Sequence, residues 1–123
     1  NFSALSYIGA QINKSKRPII YAGGGIISSN SSKYLYTLAK KNNIPVALTL
    51  MGLGAFPADD ELYLGMLGMH GSPFTNLLIN EADLILAFGV RFDDRATGDI
   101  KKFCPKASII HVDIDESEIN KES

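Results

Sequence analysis

The stretch ADLILAFGVRFDDRATGD, residues 82–99, joins a run of apolar residues directly to a loop crowded with charge. Hydrophobic side chains at both alternating positions predict that residues 83–89 form a strand buried on both faces of a parallel sheet. The residues that follow include two arginines, three aspartates and a second glycine. A turn needs less charge than this, so we predict a ligand-binding loop at the carboxyl end of the strand.

The rest of the chain alternates between helix and strand patterns. Helices are predicted at residues 4–16, 28–43, 72–82 and 116–123, with Ser72 as the N-cap of the third. Strands are predicted at residues 19–22, 44–50, 83–89 and 108–115, and loops at residues 51–71 and 90–107. This order predicts a single α/β domain over residues 1–123. It should hold a doubly wound, mainly parallel sheet with helices on both faces, as in Rossmann-like nucleotide-binding domains.

Four loops are expected to meet at the carboxyl edge of this sheet, where open α/β sheets bind ligands. They are AGGG (22–25), TLMGLG (49–54), FGVRFDDR (88–95) and HVDID (111–115). Gly23, Gly24 and Gly25 could bring backbone N–H groups close to a phosphate, or could serve only as a strand-to-helix turn. Ser28 stands where the dinucleotide fingerprint has its third glycine, so this is not a standard NAD motif.

Charged side chains in two of these loops are candidate contacts for a nucleotide. Arg91 and Arg95 could clamp a diphosphate, because guanidinium groups match the geometry of phosphate oxygens. The alternative is a local ion-pair cluster with three neighbouring acids: Asp93, Asp94 and Asp99. At the end of the last predicted strand, Asp113 could accept a hydrogen bond from a ribose hydroxyl. Asp115 fits better as the N-cap of the final helix.

Composition excludes several classes of function. The net charge of −1 provides no long-range attraction for nucleic acid or an anionic membrane, and no apolar run reaches the roughly 18 residues of a membrane span. Cys104 is the only cysteine, which excludes an internal disulfide and fits a reducing compartment. With two histidines and no spaced ligand cluster, a zinc site is not expected. Because the chain begins with Asn1 and not methionine, we expect an excised piece of a longer protein.

Four segments together resemble a known family. They are RPIIYAGGGI (17–26), TLMGLGAFPADDELYLGMLGMHG (49–71), ADLILAFGVRFDDRATG (82–98) and IIHVDIDESEINK (109–121). They look like the central domain of the large catalytic subunits of acetolactate synthase (acetohydroxyacid synthase), which are thiamine-diphosphate enzymes. The likeness runs from about Arg17 to Lys121. LGMHG combined with GVRFDDRATG is its specific part, whereas GGG is shared with relatives such as pyruvate oxidase.

The resemblance implies a three-domain enzyme that condenses two pyruvates to 2-acetolactate, or pyruvate with 2-oxobutyrate, in branched-chain amino-acid biosynthesis. The outer domains of this family hold thiamine diphosphate and magnesium, and the middle domain binds FAD, which does no net redox chemistry in the reaction. The expected partners are the flanking domains, further copies in a homo-oligomer and a regulatory small subunit, with no nucleic acid and no membrane. The location would be the cytoplasm in bacteria and an organelle in eukaryotes.

The resemblance also implies which residues contact FAD. Matching positions are Gly23, Gly24, Gly25, Thr49, Leu50, Leu67, Gly68, Met69, His70, Gly89, Arg91, Asp93, Arg95, Asp113 and Ile114. Three positions also match the substrate channel, where sulfonylurea-type inhibitors bind in this family: Met69, Asp94 and Arg95. The family's activating glutamate and its diphosphate–magnesium motif belong to the outer domains. We therefore expect no catalytic residue and no metal ligand in this chain.

One departure from the family concerns the end of the chain. The family's central domain continues into a further strand that ends in a Gly-Asp pair, whereas this sequence stops at Ser123. We therefore expect a C-terminally truncated fragment that is inactive by itself. Two alternatives remain open at this stage. One is the middle domain of a related flavoenzyme such as pyruvate oxidase, and the other is a stand-alone nucleotide-binding module.

Overall fold

A computed structural model describes residues 2–91 and 95–112 of the chain. Within these residues, five strands form one sheet: β1 (Pro18–Ala22), β2 (Val46–Leu48), β3 (Tyr63–Met66), β4 (Leu84–Phe88) and β5 (Ser108–Val112). Five α-helices accompany them: α1 (Phe2–Lys14), α2 (Gly24–Ser28), α3 (Ser32–Asn42), α4 (Pro73–Asn80) and α5 (Arg95–Phe103). A 3₁₀ turn, Leu50–Gly52, follows β2. The strand order is β3-β2-β1-β4-β5, and every pair is parallel.

Both faces of the sheet are covered by helices. Ile20 and Ala22 of β1 belong to a core shared with α1, α2 and α3. Their neighbours Ile19 and Tyr21 point to the other face and belong to a second core, shared with α4 and α5. Because successive strand residues alternate between faces, a strand buried on both sides reads as a continuous apolar run. The predicted doubly wound α/β fold is therefore confirmed.

Two predicted loops were wrong in part, because each contains a regular element. Residues 51–71 include β3, an edge strand whose four residues are all half-buried and whose register shifts beside β2. Residues 90–107 include α5, which begins at Arg95. A short helix, α2, also begins inside the glycine run. The predicted helix at residues 116–123 and the end of the last predicted strand lie outside the described residues.

The topology creates a switch point between β1 and β4. The chain leaves β1 towards β2 and leaves β4 towards β5, in opposite directions across the sheet. The two strands are paired from Pro18↔Leu84 to Ala22↔Phe88, so their carboxyl ends lie side by side. A crevice opens where neighbouring connections diverge in this way, and it is the usual ligand position in open α/β sheets. The predicted ligand-binding loops follow both strands.

At the amino ends of the strands, Asp83 joins three segments of the chain by hydrogen bonds. Asp83 precedes β4, and its carboxylate accepts hydrogen bonds from the hydroxyl of Ser15 and from the backbone N–H groups of Lys16 (2.9 Å) and Arg17 (3.1 Å). Its own carbonyl accepts from the N–H of Ser108 at 3.0 Å, at the start of β5. Partial burial acts to raise the pKa of the Asp83 carboxyl, but these hydrogen bonds outweigh it and the pKa is lowered.

Replacing Asp83 with asparagine should therefore lower the free energy of unfolding at pH 7 by about 1–2 kcal/mol, a value reduced for partial exposure to solvent. A folded-state pKa below the unfolded value means that the stabilisation exists above pH 4 and disappears as the pH falls through the folded pKa. Urea unfolding of wild type and variant between pH 7 and pH 3 should show the difference shrinking. Asp59→Asn, at an exposed aspartate, is the control. An equal loss in both variants would contradict this role.

Candidate functional site

The loops at the switch point are joined by backbone hydrogen bonds. The N–H of Gly23 donates to the carbonyl of Phe88 at 2.9 Å, and the N–H of Gly25 donates to the carbonyl of Gly89 at 3.0 Å. On the other side of β1, the N–H of Thr49 donates to the carbonyl of Ala22 at 3.0 Å. The carboxyl ends of β2, β1 and β4 therefore form one continuous rim.

The glycines of this rim let two backbones touch. A Cβ added at Gly23 would lie 2.5 Å from the carbonyl oxygen of Gly89, and one at Gly25 would lie 2.7 Å from the Cα of Gly89. Gly89 itself has a φ of +66°, and a Cβ there would lie 2.6 Å from the backbone nitrogen of Ile26. Close contact between the two loops is thus a third explanation for these glycines. The sequence suggested two others: a close approach of the backbone to a phosphate, and a strand-to-helix turn.

A cleft of about 330 Å³ opens beside this rim on the α4 and α5 face of the sheet. It brings together four of the residues predicted to contact the ligand: Thr49, Leu50, Leu67 and Arg95. Six further residues line it that sequence reasoning missed: Tyr21, Leu48, Met51, Met66, Ala96 and Asp99. Asp99 lies one helical turn after Arg95 on α5, so the two side chains lie on the same face of that helix. A sequence prediction that included α5 would therefore have placed Asp99 next to Arg95.

Several of the predicted side chains have contacts within the protein. The hydroxyl of Thr49 accepts from the N–H of Gly52 at 3.1 Å and so caps the 3₁₀ turn. Leu67 is buried, whereas Leu50 and Met69 are largely exposed, at 67% and 75%. Leu50 lines the cleft, where a ligand with a flat apolar surface would cover its side chain.

His70 follows in the same segment and is half-buried. Its Nε2 atom is buried and has no hydrogen-bond partner among the residues that the structure describes. Burial lowers the pKa of His70 below its ordinary value, because a buried imidazole is less stable in its charged form. The backbone here is held by Asn76, whose side-chain amide donates to the carbonyl of His70 at 3.3 Å. A buried ring nitrogen without a partner is a place where a bound polar group would be stabilised.

The two predicted arginines are exposed side chains on the loop after β4 and at the start of α5. Arg91 is exposed, and Arg95 is the exposed first residue of α5 and lines the cleft. A cation at the start of a helix opposes the helix dipole by about 0.3–1 kcal/mol, so helix stability does not explain an arginine there. Four predicted residues lie outside the described ranges and stay predictions: Asp93, Asp94, Asp113 and Ile114.

A larger cavity, of about 500 Å³, lies at the other edge of the sheet, near the amino ends of β1 and β2. Its walls include Pro18, Pro45 and Leu62, together with the exposed Phe74 and Leu77 of α4. None of the predicted ligand residues lines it. Ligands of open α/β sheets bind at the carboxyl edge, and so the smaller cleft at that edge is the better candidate.

Other kinds of site find little support within residues 2–91 and 95–112. No group of three or more histidine, cysteine or acidic side chains there could hold a metal ion. Cys104 is buried, and burial raises the pKa of its thiol to about 11, which leaves it protonated and unreactive at neutral pH. No helix in the described ranges is both long and apolar enough to cross a membrane.

Comparison with known proteins gives the family. A family model described as "Thiamine pyrophosphate enzyme, central domain" matches residues 5–123. The chain belongs to this family. The resemblance and the fold predicted from the sequence are thereby confirmed. A structural search adds a thiamin diphosphate-dependent enzyme from Mycobacterium smegmatis, with a TM-score of 0.62 over 90% of this chain and 22% of the other. At 19% identity, this likeness shows the fold alone.

Relatives with higher identity have a common name. The acetolactate synthase large subunit of Buchnera aphidicola subsp. Schizaphis graminum is 57% identical over 108 residues, which cover 88% of this chain and 19% of the relative. The chloroplastic acetolactate synthase of Arabidopsis thaliana is 52% identical over 119 residues, which cover 97% of this chain and 18% of the relative. This thiamine-diphosphate central domain therefore spans about a fifth of the length of the proteins that it matches.

Proposed function

We propose that the chain is the FAD-binding middle domain of an acetolactate synthase large subunit, and that the full-length enzyme condenses two pyruvates to 2-acetolactate, or pyruvate with 2-oxobutyrate. The observation that carries the proposal is the cleft at the carboxyl edge of the sheet, beside the ends of β1 and β2, where Thr49, Leu50, Leu67 and Arg95 meet. The similarity to acetolactate synthases, 52–57% identity to the two relatives above, supports this choice of enzyme.

The residues of the rim fit a flavin dinucleotide. The cleft volume, about 330 Å³, lies at the lower end of the range for small-molecule sites and suits one part of such a ligand. The arginine at its edge supplies a cation for a diphosphate. The exposed apolar side chains of Leu50 and Met69 supply surface for a flat ring system. The unpartnered Nε2 of His70 supplies a polar contact.

In this proposal the residues of the chain bind and orient the cofactor, and they move no proton in the reaction. Arg91 and Arg95 hold negative charge, and Leu67 forms an apolar wall. Met69, Asp94 and Arg95 also face the substrate channel, as the family resemblance implies. FAD supplies a flavin that undergoes no net redox change in this reaction. Thiamine diphosphate and Mg²⁺ are held by flanking domains of the same chain, and the full-length enzyme assembles with further copies and a regulatory subunit.

The main rival is the middle domain of a flavin oxidase such as pyruvate oxidase, in which the flavin is redox-active. Purified full-length enzyme distinguishes the two. We expect visible flavin absorption, release of FAD on denaturation, and acetolactate formation from pyruvate with thiamine diphosphate and Mg²⁺. We expect no pyruvate oxidation that depends on oxygen or a quinone. A colourless enzyme that makes acetolactate would overturn FAD binding, and an enzyme that only oxidises pyruvate would establish the rival.

The 123-residue chain by itself should form no acetolactate, because none of its residues matches the glutamate that activates thiamine diphosphate in this family. The measurement is acetolactate production from pyruvate, thiamine diphosphate and Mg²⁺ by a preparation free of host enzyme. Full-length enzyme under the same conditions is the positive control. Acetolactate formed by the short chain, in proportion to its concentration, would contradict the proposal that the catalytic groups lie in the flanking domains.

A further inference from the structure

The ring of Phe103, at the end of α5, covers the backbone of Gly68. A Cβ added at Gly68 would lie 2.6 Å from Cζ of this ring and 3.0 Å from Cε2. Phe103 is half-buried and packs against the core on the α4 and α5 face. The ammonium group of Lys102 lies 5.1 Å from the ring centroid. Phe103 does not line the cleft, and sequence reasoning gave it no role.

Other features also fix the segment that Phe103 covers, Leu67–His70: Leu67 is buried in the core on the same face, and hydrogen bonds hold the backbone. It follows β3 without regular secondary structure. The N–H of Met69 donates to the carbonyl of Met66 at 3.2 Å, and the carbonyl of His70 accepts from Asn76. Gly68 lies inside the turn that the first bond closes and has a φ of +84°, a left-handed conformation that other residues adopt only at a cost. The ring therefore supports the segment at a glycine, which has no side chain of its own to pack.

One helix consequently lines the cleft near its start and contacts the Leu67–His70 segment at its end. Arg95 and Ala96, in the first turn of α5, line the cleft directly. Phe103 lies about two turns further along the same helix, on the side that meets Gly68. A helix of this length moves as a unit, so the distance between the arginine and the Leu67–His70 segment is set by the helix and the aromatic contact.

We propose that Phe103 is a positioning residue: its contact with Gly68 holds the Leu67–His70 segment in the conformation that binds the flavin cofactor. This inference rests on the proposed function, because it assigns the segment to the cofactor. It extends that function to a side chain that does not touch the cleft. Loss of the ring should leave the fold intact and allow the segment to move, so that the bound conformation is only one of several.

The test uses the full-length enzyme with three variants. Phe103→Ala removes the ring, and Phe103→Leu keeps an apolar side chain over Gly68. Leu35→Ala is the matched control, because Leu35 is fully buried in the core on the opposite face of the sheet and its truncation destabilises the domain without reaching the segment. FAD affinity is measured by titrating apoenzyme below the unfolding range of every variant. Amide hydrogen exchange of residues 67–70 is measured in the apoenzyme.

Phe103→Ala should weaken FAD binding about tenfold and speed exchange in residues 67–70 by about the same factor, which corresponds to 1.4 kcal/mol. Phe103→Leu should recover affinity to within about threefold of wild type, and Leu35→Ala should change neither quantity despite its lower Tm. Unchanged exchange in Phe103→Ala, or an equal loss of affinity in Leu35→Ala, would overturn the proposal. If wild-type apoenzyme binds no FAD, the proposed function fails, while the exchange result still decides whether Phe103 holds the segment.

Discussion

Replacing Gly89 with alanine should lower the free energy of unfolding by about 2–5 kcal/mol, enough to unfold a large share of a marginally stable domain. Part of the loss is the left-handed φ of +66°, which costs roughly 1–2 kcal/mol for a residue with a Cβ. The rest, about 1–3 kcal/mol, is overpacking. The new methyl group would lie 2.6 Å from the nitrogen of Ile26 and 2.8 Å from the Cα of Gly25, and these backbone atoms cannot rotate away.

Substitutions at two other glycines distinguish the cost of backbone strain from the cost of steric overlap. Gly54 has a φ of +97° but no atom within 4 Å of an added Cβ, so Gly54→Ala should cost only the roughly 1–2 kcal/mol of strain. Gly98 lies in α5 with the same open surroundings, and Gly98→Ala should stabilise the protein by up to about 1 kcal/mol. Urea unfolding of the three variants gives the comparison. If Gly89→Ala lowers the free energy of unfolding no more than Gly54→Ala does, the backbone of Gly89 is not in close contact with that of Gly25 and Ile26.

Replacing Arg91 with alanine in the full-length enzyme should weaken FAD binding about tenfold to a hundredfold. A charge-assisted contact to a phosphate is worth roughly 1.5–3 kcal/mol, and 1.4 kcal/mol is a factor of ten. Lysine should restore the affinity only in part, because an ammonium group lacks the paired donors of guanidinium. Titration of FAD into apoenzyme, with folding checked by circular dichroism, provides the measurement. Lys101→Ala, at an exposed lysine of α5, is the control.

Arg95 should behave differently from Arg91 in one respect. Its position also matches the family's substrate channel, so Arg95→Ala should change sensitivity to sulfonylurea-type inhibitors as well as FAD affinity. The ion-pair alternative predicts a lower Tm for both variants, with the FAD affinity of the folded enzyme nearly unchanged. Unchanged affinity in Arg91→Ala would return the loop to a purely structural role.

The parts of the fold that sequence predicted well are those whose burial is uniform. β1 and β4 are buried along almost their whole length, and their apolar runs are unambiguous. β3 was missed because it is an edge strand with half-buried residues and a glycine, Gly65, at a φ of +71°. α5 was missed because it starts with an arginine, contains Gly98 and buries few side chains. Tertiary contacts, and not local propensity, make these two elements regular.

The residues of the site also differ in how well the sequence predicts them. Residues at the ends of buried strands could be placed on one rim because parallel strands end together. The residues that line the cleft from within, such as Tyr21, depend on which face of a strand meets α4 and α5. Met66 and Ala96 belong to the two missed elements. The position of Phe103 against Gly68 depends on how α5 lies on the sheet, and spacing along the chain carries no information about it.

Burial of Cys104 has a practical consequence for spectroscopy. It is the only cysteine of the chain, and its thiol is protonated and inaccessible at neutral pH, so the folded chain behaves towards alkylating dyes as though it had no cysteine. A single cysteine introduced at the exposed Met51, which lines the cleft, would then carry a fluorophore there without prior removal of the native thiol. Quenching of that dye by a bound flavin would report occupancy of the cleft directly, in real time.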